Sequence, residues 1–91
     1  SEYKDVYAYP NPVRPDFGGT ISIVGLKTDS KIVITTVAGQ LIYTTSSNGG
    51  MATWDGRDGY GRSVPTGIYI VNAIDSDNQE HELTKILIMN Q

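Results

Sequence analysis

The segment Trp54-Asp55-Gly56-Arg57-Asp58-Gly59-Tyr60-Gly61, running on through Val64-Pro65-Thr66-Gly67 into Ile68-Tyr69-Ile70-Val71, constrains the fold more than any other part of the chain. It places one large aromatic residue, a turn dense in glycine and aspartate, and a strongly apolar run in close succession. In an all-β chain this is the pattern of a strand that ends, crosses to a second sheet and begins again.

The rest of the sequence supports an all-β reading. Apolar residues recur with period two or in short runs rich in Val, Ile, Tyr and Thr, and no segment keeps a helical period for three turns. Strands are predicted at Asp5 to Tyr9, Thr20 to Val24, Lys31 to Val37, Gln40 to Thr45, Met51 to Trp54, Gly67 to Ile74 and Glu82 to Met89. Turn formers separate them, as in Asp16-Phe17-Gly18-Gly19, Ser46-Ser47-Asn48-Gly49-Gly50 and Asp75-Ser76-Asp77-Asn78. Seven short strands at this spacing predict an immunoglobulin-like antiparallel β-sandwich, with residues 1–91 as one domain.

Local features refine the expectation. Ile21 and Ile23 share one face of their strand, leaving Thr20 and Ser22 on a wet face. Ile32 and Ile34 face one way and Val33 and Val37 the other, which predicts a central strand. Ala38-Gly39 reads as a tight hairpin in which Gly39 supplies a positive φ. Pro10 and Pro12 end the first strand at Tyr9, and Asn11 between them is expected to fold its amide onto the local backbone. The last strand becomes apolar on both faces over Ile86-Leu87-Ile88-Met89, which predicts a covered strand or an adhesive edge.

Composition narrows the function. A chain of 91 residues supports one core, and the absence of cysteine removes disulfides and thiolate metal sites, leaving the core to hold the fold. Seven basic residues are scattered against ten acidic ones for a net charge of −3, so no phosphate-tracking surface and no nucleic-acid partner is expected. No apolar run approaches the roughly eighteen residues of a membrane helix. Ser1-Glu2-Tyr3-Lys4-Asp5 lacks the pattern of a signal peptide, so an export address is expected elsewhere, and a chain beginning at Ser1 without Met reads as a processed product or a domain excised from a larger protein.

Three kinds of site come into question. His81 is the only histidine, and on a strand its neighbours Glu80 and Glu82 project to the opposite face, so a structural or solvated role is favoured over metal binding. Asp55-Gly56-Arg57-Asp58-Gly59 and Asp75-Ser76-Asp77-Asn78 faintly resemble calcium loops but lack the closing glutamate; Asp55 and Asp58 are expected to accept turn amides and to pair with Arg57 or Arg62. Six tyrosines and Trp54 raise a carbohydrate-binding reading, yet Tyr7, Tyr9, Tyr43 and Tyr69 fall inside strands, where aromatic residues fill the core or pair across strands, and only Tyr60 is loop-borne. No acid, base and nucleophile set assembles, so neither an enzyme nor a cofactor is predicted.

Taken together, Tyr9-Pro10-Asn11-Pro12, the Val37-Ala38-Gly39-Gln40-Leu41-Ile42-Tyr43 hairpin, Thr66-Gly67-Ile68-Tyr69-Ile70-Val71 and Thr84-Lys85-Ile86-Leu87-Ile88 resemble the C-terminal sorting domain of type IX secretion cargo in Bacteroidetes, over nearly the whole chain. Trp54-Asp55-Gly56-Arg57-Asp58 with Gly61 and Gly67 is also similar to the immunoglobulin-like domain of flagellar hook-capping proteins. The resemblance implies a non-catalytic domain of an exported protein, found at the outer membrane, at the cell surface or outside the cell. Its expected partners are protein components of the outer-membrane secretion machinery. Some parents of such domains carry two-component-regulator propeller repeats. The family's signal falls on Gly39, Gly67, Tyr69, Lys85, Ile86, Leu87 and Ile88, and Lys85 to Met89 is expected to dock by strand addition. The sequence departs from the family in ending Met89-Asn90-Gln91 and in its Trp54 segment. The alternatives are a structural spacer or adhesion domain of the hook-capping type, and a carbohydrate-binding module.

Overall fold

The computed structural model describes residues 5–90, and every regular element within them is a strand. In chain order they are β1 (Tyr7–Tyr9), β2 (Ile21–Val24), β3 (Lys31–Thr36), β4 (Leu41–Ser46), β5 (Met51–Trp54), β6 (Gly67–Ile74) and β7 (Glu80–Ile88). All pairings between strands are antiparallel, in a three-stranded sheet of order β1-β2-β5 and a four-stranded sheet of order β4-β3-β6-β7. Each expected strand is present, with ends shifted by up to two residues. The outermost residues 1–4 and 91, on which the readings of leader and tail rest, lie outside the described residues.

The crossing segment behaves as its composition requires. β5 ends at Trp54 in the first sheet and β6 begins at Gly67 in the second. Lettered A to G in order, the sheets are ABE and DCFG, an immunoglobulin-like sandwich whose fourth strand pairs with the third. β3 and β6 are the inner strands of their sheet, which explains why both carry buried residues on both faces.

The core lies between the sheets. Ala8, Ile21, Ile23, Ala52 and Trp54 come from the first sheet, and Ile32, Ile34, Tyr69, Val71, Ala73, Ile86 and Ile88 from the second. Leu26, Val13 and Val64 close it from the loops. Burying a large aliphatic or aromatic side chain contributes about 1.5–3 kcal/mol each, so these residues supply the driving force that no disulfide provides.

Three local expectations are corrected. Val37 lies beyond β3 in an exposed turn and does not continue the strand's outer face. Asn11 does not bond its own neighbourhood: its Nδ2 donates to the Lys85 carbonyl at 2.9 Å and its Oδ1 accepts from the Leu87 amide at 3.0 Å. Over Lys85 to Met89 the terminal strand is therefore covered, the first of the two expected alternatives, and is not an adhesive edge. Val13 continues the cover, donating to the Leu87 carbonyl at 2.8 Å and accepting from the Met89 amide at 2.7 Å, in a parallel bridge to Ile88. Between Lys85 and Met89 the outward backbone groups are engaged within the chain, so strand addition has no free ladder there.

The β3–β4 hairpin closes as anticipated. The Gly39 amide donates to the Thr36 carbonyl and the Thr36 amide to the Gln40 carbonyl, each at 2.9 Å, with Gly39 at φ +89°. A type I turn followed by a left-handed residue produces this three-residue loop. No atom outside its chain neighbours lies within 4 Å of where a Gly39 Cβ would stand, so a side chain meets the cost of the backbone conformation and nothing else. Gly39→Val is expected to destabilise the domain by about 1–2 kcal/mol and to lower its melting temperature by about 5–15 °C; unchanged thermal unfolding would refute this assignment.

Candidate recognition surfaces

The crossing segment is anchored by Trp54 and Tyr69. Their rings meet edge to face, with centroids 5.8 Å apart at 63°, and both are buried. Each polar atom has a backbone partner: Trp54 Nε1 donates to the Arg57 carbonyl at 2.8 Å and the Tyr69 hydroxyl to the Pro65 carbonyl at 2.6 Å. The second bond resembles the tyrosine corner of immunoglobulin-like sandwiches, in which a tyrosine of this strand bonds backbone a few residues upstream. Burial pushes the Tyr69 hydroxyl above its ordinary value of 10.0.

Between these anchors the 55–63 loop is built from its own aspartates. Asp55 Oδ1 accepts the Arg57 amide, and Asp58 Oδ1 accepts the amides of Tyr60 and Arg62. Asp58 Oδ2 takes Arg62 Nε at 3.0 Å, the pairing read from the sequence. A bulge in β4, where Thr35 pairs with Leu41 and Ile34 with Tyr43, leaves Ile42 extra, and its carbonyl accepts the Gly59 amide at 3.0 Å. The loop is thus pinned to the four-stranded sheet and holds Tyr60 outward, with the Arg62 guanidinium 5.1 Å from its ring centre.

His81 sits elsewhere. Its Nε2 lies 2.8 Å from Asp75 Oδ2 at the β6–β7 turn, a partner that the sequence reading, which set Glu80 and Glu82 on the opposite face, did not name. Asp75 Oδ1 accepts the amides of Asp77 and Gln79, so this carboxylate organises its turn as Asp58 does its own. β6, eight residues long and so about 25 Å, lies between the two acidic turns. No group of three or more His, Cys, Asp or Glu able to hold a metal occurs among the described residues.

The residues that carry the family resemblance divide by exposure. Tyr69, Ile86 and Ile88 are core residues, the last two only 0% and 2% exposed, so their side chains cannot meet a partner in the folded domain. Gly67 is half-buried at the start of β6, and Gly39 is exposed in its turn. Lys85 and Leu87 face outward on β7, Lys85 in an exposed ion pair with Glu82 at 3.1 Å. Leu87 stands opposite Ile68, and Val37 and Leu41 belong to the adjacent hairpin; all four are exposed. Sequence reasoning singled out Leu87 and missed Ile68, Val37 and Leu41, although outward period-two positions on an inner strand would have indicated Ile68.

The aromatic expectation also changes. Tyr7 and Tyr9 do not fill the core: β1 buries Ala8 and turns both tyrosines to solvent, 56% and 48% exposed, with ring centroids 6.0 Å apart.

These features define an all-β, immunoglobulin-like sandwich with two outward sheet faces. Over 93% of its length the chain is similar to part of PorZ, an essential bacterial surface component of the type IX secretion system of Porphyromonas gingivalis, with a TM-score of 0.79 and 30% identity. A second likeness, of fold alone, is to the dimeric latent form of PorU from the same organism, over 94% of the chain with a TM-score of 0.61 and 23% identity. The chain spans 11% of the PorZ chain and 9% of the PorU chain. No protein-family model and no curated protein sequence matches it. The resemblance read from the residues and the structural likeness to PorZ both lead to type IX secretion.

The two acidic turns give the domain a defined acid response. The Arg62 amide, the Tyr60 amide and the Arg62 side chain hold Asp58 below the ordinary carboxylate value of 3.8. The His81 hydrogen bond and the Gln79 and Asp77 amides do the same for Asp75. Carboxylates lowered in the folded state contribute stability that is present above their unfolded value and lost as pH falls through the folded one. Stability measured by urea unfolding should therefore fall as pH drops below about 3.8, and fall less steeply in an Asp58→Asn/Asp75→Asn variant; equal acid slopes in the two proteins would contradict the assignment.

Proposed function

We infer that this domain is a non-catalytic recognition module that directs a larger exported protein through the type IX secretion machinery to the cell surface. The observation that carries the reading is the likeness to a segment of PorZ, itself a surface component of that system, across 93% of the chain. The order of motifs in the sequence supports it independently.

The way such a module would be gripped follows from which groups are free. With the backbone edge from Lys85 to Met89 covered by Asn11 and Val13, recognition falls to side chains. Ile68 and Leu87, directly opposed on the outward face of the four-stranded sheet, are the candidates, with Val37 and Leu41 exposed on the neighbouring β3–β4 hairpin. Exposed aliphatic groups gathered on one face of a small domain suit transient protein contact. Lys85 contributes less, because an exposed ion pair such as Lys85–Glu82 is worth about 0–1 kcal/mol.

A reporter carrying this chain at its end, expressed in a host with type IX secretion, tests the proposal. The intact domain should bring the reporter to the cell surface, and Ile68→Ser/Leu87→Ser should reduce surface reporter by about tenfold, as expected when two interface anchors are lost, while thermal unfolding remains cooperative. Reporter retained in the cell with the intact domain, or equal surface display of both forms, would sink the idea.

A further inference from the structure

The outward face of the three-stranded sheet has a composition that neither the fold nor the export reading explains. The register sets Tyr7 beside Val24 and Met51 in one row, and Tyr9 beside Ser22 and Thr53 in the next. Their strand neighbours Ala8, Ile21, Ile23, Ala52 and Trp54 point into the core, so these six side chains face solvent together. None of the six is charged. The two tyrosine rings stand 6.0 Å apart with 34° between their planes, near enough to form one surface while each leaves about half its area in water.

We propose that this face is a glycan-binding platform on which Tyr7 and Tyr9 stack against neighbouring sugar rings of an uncharged polysaccharide chain. Sugar rings present an apolar C–H face and a rim of hydroxyls. Tyrosine matches both, with a flat apolar body, a hydroxyl at its tip and only two side-chain torsions to immobilise. Ser22 and Thr53, in the same row as Tyr9, add hydroxyls that donate to and accept from a sugar rim. Because both tyrosines project from a strand paired to β2, the rings are placed before the ligand arrives.

Size and charge select this occupant over a protein. Three strands are about 10 Å across from first to last, and two rows add about 7 Å. The face therefore covers on the order of 70 Å² between its backbone positions, far below the roughly 800 Å² per partner of a stable protein interface. A slender chain of sugars fits that outline. The absence of charge on the face, in a molecule of net charge −3, favours a neutral glycan over an acidic one.

The test is affinity electrophoresis of the full 91-residue chain through native gels containing hydroxyethyl cellulose, xyloglucan, galactomannan or mixed-linkage β-glucan, with cellohexaose titrations followed by NMR. At least one polysaccharide should retard the protein, and cellohexaose should shift the ring resonances of Tyr7 and Tyr9. Tyr7→Ala and Tyr9→Ala should each weaken retention by about tenfold. Tyr7→Phe/Tyr9→Phe, which keeps the stacking faces, should retain most of it, and Tyr60→Ala should behave as the parent. Three outcomes would overturn the proposal: no retardation and no tyrosine shift with any of these glycans, retention that survives Tyr7→Ala/Tyr9→Ala, or a tyrosine-dependent dimer in sedimentation without glycan retention. The proposal stands apart from the export reading, since the Ile68 and Leu87 variants leave this face untouched.

Discussion

The closure of the β7 edge by Asn11 and Val13 is the constraint on which the rest of this structure depends. A small sandwich that ends on a long, apolar strand would expose a row of unpaired amides and carbonyls, a template for aggregation. Here the segment that leaves β1 crosses to the other sheet and satisfies that row from the Lys85 carbonyl to the Met89 amide. Asn11 does so with a side-chain amide that offers both a donor and an acceptor, and Val13 with its own backbone. The same crossing ties the start of the described chain to its end and lets Val13 bury its side chain in the core.

The Trp54–Tyr69 contact performs the complementary task at the crossing between sheets. It fixes where β5 stops and β6 starts, and the loop between them is then shaped by Asp55 and Asp58. Local charges set the turns and distant apolar contacts set the frame. Together they hold the two sheets so that each turns an outward face to its surroundings.

Much of the frame was legible from the residues because strand periodicity and turn chemistry are local. Gly39, the Trp54 crossing and the inner position of β3 all followed from patterns spanning a few residues. Asn11 did not, because its partners lie 74 and 76 positions away and nothing near Asn11 encodes them. Tyr7 and Tyr9 were misread for a different reason. The rule that aromatic residues fill cores yielded to alternation around Ala8, whose small side chain lies in the inner row opposite Ile23, with Ala52 on the other side. The family resemblance was legible, but three of its seven marked residues, Tyr69, Ile86 and Ile88, record the packing of the sandwich, and exposure separates them from Leu87 and Lys85.

Recognition through side-chain faces, rather than through a lent strand edge, is the central claim. Amide hydrogen exchange at Leu87 and Met89 tests it most directly, because these two groups point away from β6 and are protected only if Asn11 and Val13 hold them. The account predicts exchange as slow as that of Ile86 and Ile88 within the same strand. Rapid exchange at Leu87 and Met89 beside slow exchange at their neighbours would show an open edge and contradict it.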